Sequence, residues 1–126
     1  MVYTPKLLVL CSDPEGRSAL ERALARSPLE KVFAANVVEA REVAERGHVA
    51  LVFCALDAPD GGLRSLRDAT SRSWARVPVV VASRRGDTAE YLDAMRAGAF
   101  DFISQPYRSE EVERIVMSAL QPPLAA

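Results

Sequence analysis

The side chains able to do chemistry in this chain are few, and they gather at the exits of apolar runs. Cys11-Ser12-Asp13 follows Lys6–Leu10, Asp57 and Asp60 follow Val49–Cys54, and Ser83 follows Val77–Ala82. Each group admits a chemistry. The thiols of Cys11 and Cys54 admit a redox pair if their strands are neighbours. Asp13 or Asp57 admits nucleophilic attack on phosphorus, or ligation of a hard cation, which prefers oxygen donors. Ser83 admits a hydrogen bond to an oxyanion, and Arg84-Arg85 an ion pair with an anionic partner. Blander roles weigh against each: small buried hydrophobes, an N-cap, turn formers, a loop hydrogen-bonder and solvated charges. His48 is the single histidine and has no ligand partner at metal spacing.

Positioning these residues requires strands that end where they begin. Val49–Cys54 is a continuous apolar run, as expected of a strand buried on both faces of a parallel sheet. Pro59-Asp60-Gly61-Gly62 breaks it, and a helical pattern follows over 63–73. Lys6–Leu10, Glu30–Ala35, Val77–Ala82 and Phe100–Ser104 read as four further strands. Helices are predicted between and after them. Asp13-Pro14-Glu15 starts the first; Asn36 with Glu39, and Asp87 with Glu90, resemble capping boxes that start two others. In the last helix Val112, Ile115, Val116, Ala119 and Leu120 keep an i, i+3, i+4, i+7, i+8 spacing.

Five strand–helix units in alternation predict an α/β fold. It is a doubly wound, flavodoxin-like (βα)5 parallel sheet of order 2-1-3-4-5. The 126 residues make one domain, with a core over 6–120 and residues 121–126 as a tail or the start of a linker. A net charge of -1 gives no basic excess for nucleic acid, and the longest apolar runs fall far short of a membrane span. No signal-peptide pattern opens the chain, so a cytoplasmic location is expected. Ligands of such sheets bind beyond the carboxyl ends of the strands. The residue there on the third strand is Ala55, which can neither attack nor ligate.

The exits of strands one, three, four and five would converge as Cys11-Ser12-Asp13, Ala55, Ser83 and Gln105. With these residues in view the chain resembles the receiver domain of bacterial two-component response regulators over residues 6 to 120. The resemblance is carried by the strand before 11–13 and the turn Leu56-Asp57-Ala58-Pro59-Asp60-Gly61. Val77-Pro78-Val79 through Ser83 adds to it, and the most specific part is Gly98-Ala99-Phe100-Asp101-Phe102 before Gln105-Pro106. It implies a phosphoacceptor aspartate after strand three, an acidic pair holding Mg²⁺ after strand one and a lysine after strand five. It further implies a Ser or Thr after strand four and an aromatic switch residue. In this chain those positions are Ala55, Cys11 with Ser12, Gln105, Ser83 and Phe102. Asp13 stands beside the lost pair as a weak metal candidate, and Gln105-Pro106 falls where the family's peptide is usually cis.

Nucleophile, metal pair and counter-charge are replaced together, which implies a pseudo-receiver with no catalytic residue, resident metal or cofactor. The expected function is a phosphorylation-independent interaction or dimerisation module of a response regulator. Its surface would be the fourth helix, fifth strand and fifth helix, bearing Tyr91, Met95, Phe102, Arg108, Val112 and Ile115. A protein partner, an output domain or a second copy would dock there, with neither membrane nor nucleic acid contacted directly. Three alternatives are kept: an acceptor relocated to Asp57 or Asp13, a thiol redox switch at Cys11 and Cys54, and a small flavodoxin-like enzyme or nucleotide binder. Against the last, Cys-Ser-Asp-Pro-Glu-Gly is no glycine-rich phosphate cradle, and no nucleophile–base pair is visible.

Overall fold

Residues 5–55 and 77–121 are described by a computed structural model. The predicted helix at 63–73, Asp57, Asp60 and the Pro59–Gly62 break, Trp74 and the Pro122-Pro123 tail lie outside the described residues. The elements in chain order are β1 (Lys6–Leu10), α1 (Pro14–Ala23), β2 (Glu30–Ala34), α2 (Val37–Arg46) and β3 (Val49–Ala55). After the undescribed stretch come β4 (Val79–Ser83), α3 (Thr88–Arg96), β5 (Asp101–Ser104) and α4 (Ser109–Leu120). Here α3 is the fourth predicted helix and α4 the fifth.

All strands pair in parallel, in the order β2-β1-β3-β4-β5, which is the predicted flavodoxin-like topology. Alternate side chains of a strand point to opposite faces, so a strand covered on both sides must be apolar throughout. Leu7 to Leu10 are wholly buried, as are Leu51 to Cys54. Leu7, Val9, Leu51, Phe53, Val80 and Ile103 meet Leu20 and Leu24 from around α1 and Val112, Ile115 and Val116 of α4. Leu8, Leu10, Val52, Cys54, Val79 and Val81 meet Val37 and Ala40 of α2 and Ala94 of α3.

The helix starts follow their sequence signals. Asp13 Oδ2 accepts from Gly16 N at 3.0 Å, with Pro14 in the first turn of α1. Asn36 Oδ1 accepts from Glu39 N at 2.9 Å, while the Glu39 carboxylate accepts from Ala35 N at 2.7 Å. Asp87 Oδ1 accepts from Glu90 N at 2.8 Å.

Helix α1 ends at Ala23 with Leu24 as its C-cap, and beyond it Ser27 Oγ accepts from Leu29 N at 3.3 Å. Helix α3 meets the sheet through Ala94 and the half-buried Met95, leaving Tyr91 and Leu92 45% and 42% exposed. A small residue at the contact brings the helix close and turns its larger apolar side chains outward.

Candidate functional site

The exits of β1, β3, β4 and β5 surround a cleft of about 210 Å³. Its floor is made of small side chains: Cys11, Ala55 and Ala82, all nearly buried and all in the same core cluster. Gly16 completes it. A Cβ there would stand 3.2 Å from Cys11 Sγ and 3.3 Å from Asp13 Oδ2, so any larger residue at this close approach of α1 to the β1 exit would make those side chains give by a few tenths of an ångström. Asp13, Arg84, Arg85, Glu90, Gln105 and Tyr107 form the rim. Ser12 is exposed, and the Gln105-Pro106 peptide is cis.

Arg84 was expected to be a solvated loop charge or to await an anionic partner. Its partner is within the chain: Nη2 lies 2.7 Å from Asp13 Oδ2, spanning from the β4 exit to the β1 exit. The side chains are 56% and 24% exposed, so solvent screens the pair and it contributes about 0–1 kcal/mol. Its consequence is chemical. The Asp13 oxygen that a cation would seek already accepts from a backbone N–H and a guanidinium.

The residues described around the cleft do not fit Mg²⁺. That ion demands several oxygen ligands in near-octahedral geometry, whereas the two carboxylates described here are committed elsewhere, Asp13 to Gly16 N and Arg84, and Glu90 to Ser83, beside a thiol and a neutral amide. Among the described residues no three His, Cys, Asp or Glu side chains converge as a metal-ligating group.

Ser83 is 1% exposed and fully engaged. Its hydroxyl donates to Glu90 Oε1 at 2.8 Å and accepts from Gly86 N at 2.9 Å and Arg85 N at 3.2 Å. Glu90 thus serves a residue seven positions upstream rather than closing a reciprocal capping box. Gly86 has φ +68°, and a Cβ on it would lie 2.5 Å from Ser104 Cβ. The β4–α3 loop is therefore seated directly on β5.

Cys11 and Cys54 are buried, as small hydrophobes would be, while one alternative and one expectation are corrected. Leu10 pairs with Cys54 in the β1–β3 ladder, and Cys11 is one residue further on. That parity puts Cys11 on the α1/α4 face and Cys54 on the α2/α3 face. A disulfide needs Cβ atoms about 3.5–4.5 Å apart with converging directions, so the sheet itself separates the proposed redox pair. On the expected docking face, Val112 and Ile115 are 1% and 7% exposed and belong to the core, because the apolar stripe of α4 faces the sheet. Ile115 only borders a surface groove of about 350 Å³ lined also by Asp101, Phe102, Glu111, Arg114 and Ser118. Tyr91 and Arg108 are exposed, and Met95 and Phe102 are half-buried. The Tyr91 and Phe102 rings meet edge to face at 5.6 Å and 88°.

A parallel five-stranded sheet of order β2-β1-β3-β4-β5 with a cleft at the exits of β1, β3, β4 and β5 is a flavodoxin-like α/β domain. The response regulator receiver domain family model matches residues 8–117, and the chain belongs to that family. The response regulator protein PilR of Pseudomonas aeruginosa is 31% identical over 116 residues, which are 92% of this chain and 26% of PilR. The KDP operon transcriptional regulatory protein KdpE of Escherichia coli is 36% identical over 72 residues, 56% of this chain and 31% of KdpE. The chain thus spans about a quarter to a third of the length of these relatives. Among solved structures, a putative response regulator from Chloroflexus aurantiacus superposes with a TM-score of 0.83 at 21% identity, covering 93% of this chain and 98% of its own. The receiver domain of NtrX from Brucella abortus gives 0.81 at 24%, covering 93% and 99%. These likenesses show the fold.

Proposed function

We propose that this chain is a receiver module that works without phosphorylation, as a non-enzymatic docking or dimerisation unit of a larger cytoplasmic response regulator. The observation that carries the reading is Ala55 at the end of β3, on the floor of a cleft whose remaining lining includes Cys11 and Gln105. Phosphoryl transfer to a receiver needs a carboxylate nucleophile, a cation held by acids and a positive counter-charge. A methyl group, a thiol and a neutral amide supply none of these. The commitment of Asp13 to Gly16 N and Arg84 supports the same conclusion.

Docking is assigned to the surface of α3, β5 and α4 that carries Tyr91, Met95, Phe102 and Arg108. Its occupant is a protein partner, a linked output domain or a second copy. Nucleic acid would be contacted by another part of the regulator, since this chain has a net charge of -1. Among the described residues no helix is long and apolar enough to cross a membrane.

The test is incubation with Mg²⁺ and a small-molecule phosphodonor, followed by intact mass measurement. The expected spectrum shows the unmodified chain alone. A stoichiometric phosphoryl adduct mapping to Asp57 or Asp13 establishes a relocated acceptor and overturns the proposal.

A further inference from the structure

We propose that the β4–α3 loop is a closed latch, fastened by Arg84 to Asp13 and by Ser83 to Glu90, that holds the α3–β5–α4 surface in one conformation without a ligand. The inference deepens the function proposed above and rests on it for its biological meaning. Its physical content stands on the loop itself.

Three attachments fix residues 84–87. Arg84 ties the loop to the β1 exit at 2.7 Å. Gly86, with φ +68° and no space for a Cβ against Ser104, seats it on β5. Ser83 ties it to α3 through a 2.8 Å bond to Glu90 Oε1. A hydroxyl has one proton to give and two lone pairs to share. Here the proton goes to Glu90, and the lone pairs receive Arg85 N and Gly86 N. An oxyanion entering the cleft finds no donor at Ser83 unless Glu90 is displaced.

The bond to Glu90 also sets the first turn of α3. The next residue, Tyr91, meets Phe102 of β5 edge to face. Latch and docking surface are therefore joined by consecutive side chains. In this arrangement the buried hydroxyl and the guanidinium are both satisfied from within the chain, so the loop needs no bound group to close it.

Amide exchange and aromatic resonances, followed by NMR in the full chain, test the latch. The variants are Arg84→Ala, Glu90→Ala and Glu90→Gln. The cap bond from Glu90 N to Asp87 involves the backbone and survives all three substitutions. Since a hydrogen bond to a carboxylate is stronger than one between neutral groups, Glu90→Ala is expected to speed exchange at Arg85 and Gly86 roughly tenfold or more and to shift the Tyr91 and Phe102 ring signals. Arg84→Ala is expected to speed the same amides. Glu90→Gln, whose amide oxygen accepts the same hydroxyl, is expected to restore wild-type exchange and ring signals. Unchanged exchange and ring signals in Glu90→Ala overturn the latch, as does Glu90→Gln behaving like Glu90→Ala. Because the readout uses neither phosphodonor nor partner, its failure is distinguishable from a phosphoryl adduct, which overturns the functional reading alone.

Discussion

Restoring the nucleophile alone is expected not to restore phosphorylation, and the size of the shortfall follows from what else the cleft lacks. Ala55→Asp supplies a carboxylate at the end of β3 but leaves Cys11, Ser12 and Gln105 in place. Removing one preorganised electrostatic contact to a developing charge costs roughly 10²–10³ in rate. On the proposed reading, in which the metal site and the counter-charge are both missing, the deficit is about 10⁴–10⁶, or roughly 5–8 kcal/mol of barrier. A labelling reaction that would finish in about a minute then takes roughly a week or longer. The new carboxylate also meets an unfavourable floor. Ala55 is 5% exposed among Cys11 and Ala82, and the nearby Arg84 is already paired with Asp13. Intact mass after about an hour with Mg²⁺ and phosphodonor is expected to show no adduct on Ala55→Asp. The repaired variant Cys11→Asp/Ser12→Asp/Ala55→Asp/Gln105→Lys is expected to gain one phosphoryl group. A stoichiometric adduct on Ala55→Asp within minutes refutes the reasoning, since the acidic pair and the cation would then be dispensable.

Other expectations separate core, loop and surface. Gly86→Ala is expected to cost roughly 2–4 kcal/mol in urea unfolding. It adds the left-handed penalty of about 1–2 kcal/mol to a contact of 2.5 Å with Ser104 Cβ. A loss below about 0.5 kcal/mol means that the loop does not hold this backbone. Val112→Ala removes two buried methyl carbons and should cost about 2–3 kcal/mol, while Tyr91→Ala, at a 45% exposed position, should cost under about 1 kcal/mol. The reverse order would return Val112 to the docking surface. A thiol oxidant is expected to leave the monomer's mobility on a non-reducing gel unchanged. A faster band that vanishes in Cys11→Ser would reinstate the redox pair that the sheet separates.

The sheet was legible because each interior strand carries an apolar run of at least four residues, Leu7–Leu10 in β1, Val49–Ala55 in β3 and Val79–Ala82 in β4, and alternation of units leaves few ways to wind it. The helix starts at Asp13, Asn36 and Asp87 were equally plain, since an N-cap bond joins residues three apart. What the sequence hid was tertiary choice. Asp87 and Glu90 have the spacing of a capping box, yet the Glu90 carboxylate goes to Ser83, where a buried hydroxyl would otherwise lack an acceptor. Arg84 sits in a polar loop with nothing local to mark its reach across to Asp13. The thiol pair failed on parity: neighbouring strands were right, but a one-residue offset puts the two side chains on opposite faces. Val112 and Ile115 lie on the one apolar stripe of α4, which the core takes, and a helix cannot present one stripe both to the core and to a partner.

These placements bear on why the site residues would be replaced as a set. The two core clusters are built from strand and helix interiors, so the fold does not depend on acids at the cleft. A working receiver gathers several carboxylates at the strand exits, where they repel one another unless a cation is held among them. Loss of the nucleophile removes the use of that cation, and the remaining acids and lysine then become unmatched charges around a small cleft. An arrangement with Cys11, Ser12, Ala55 and Gln105 removes those charges, and the acid that remains at Asp13 is balanced by Arg84 at 2.7 Å. On the proposed reading, Arg84 leaves no unmatched acid at the β1 exit, although no phosphoryl chemistry requires it.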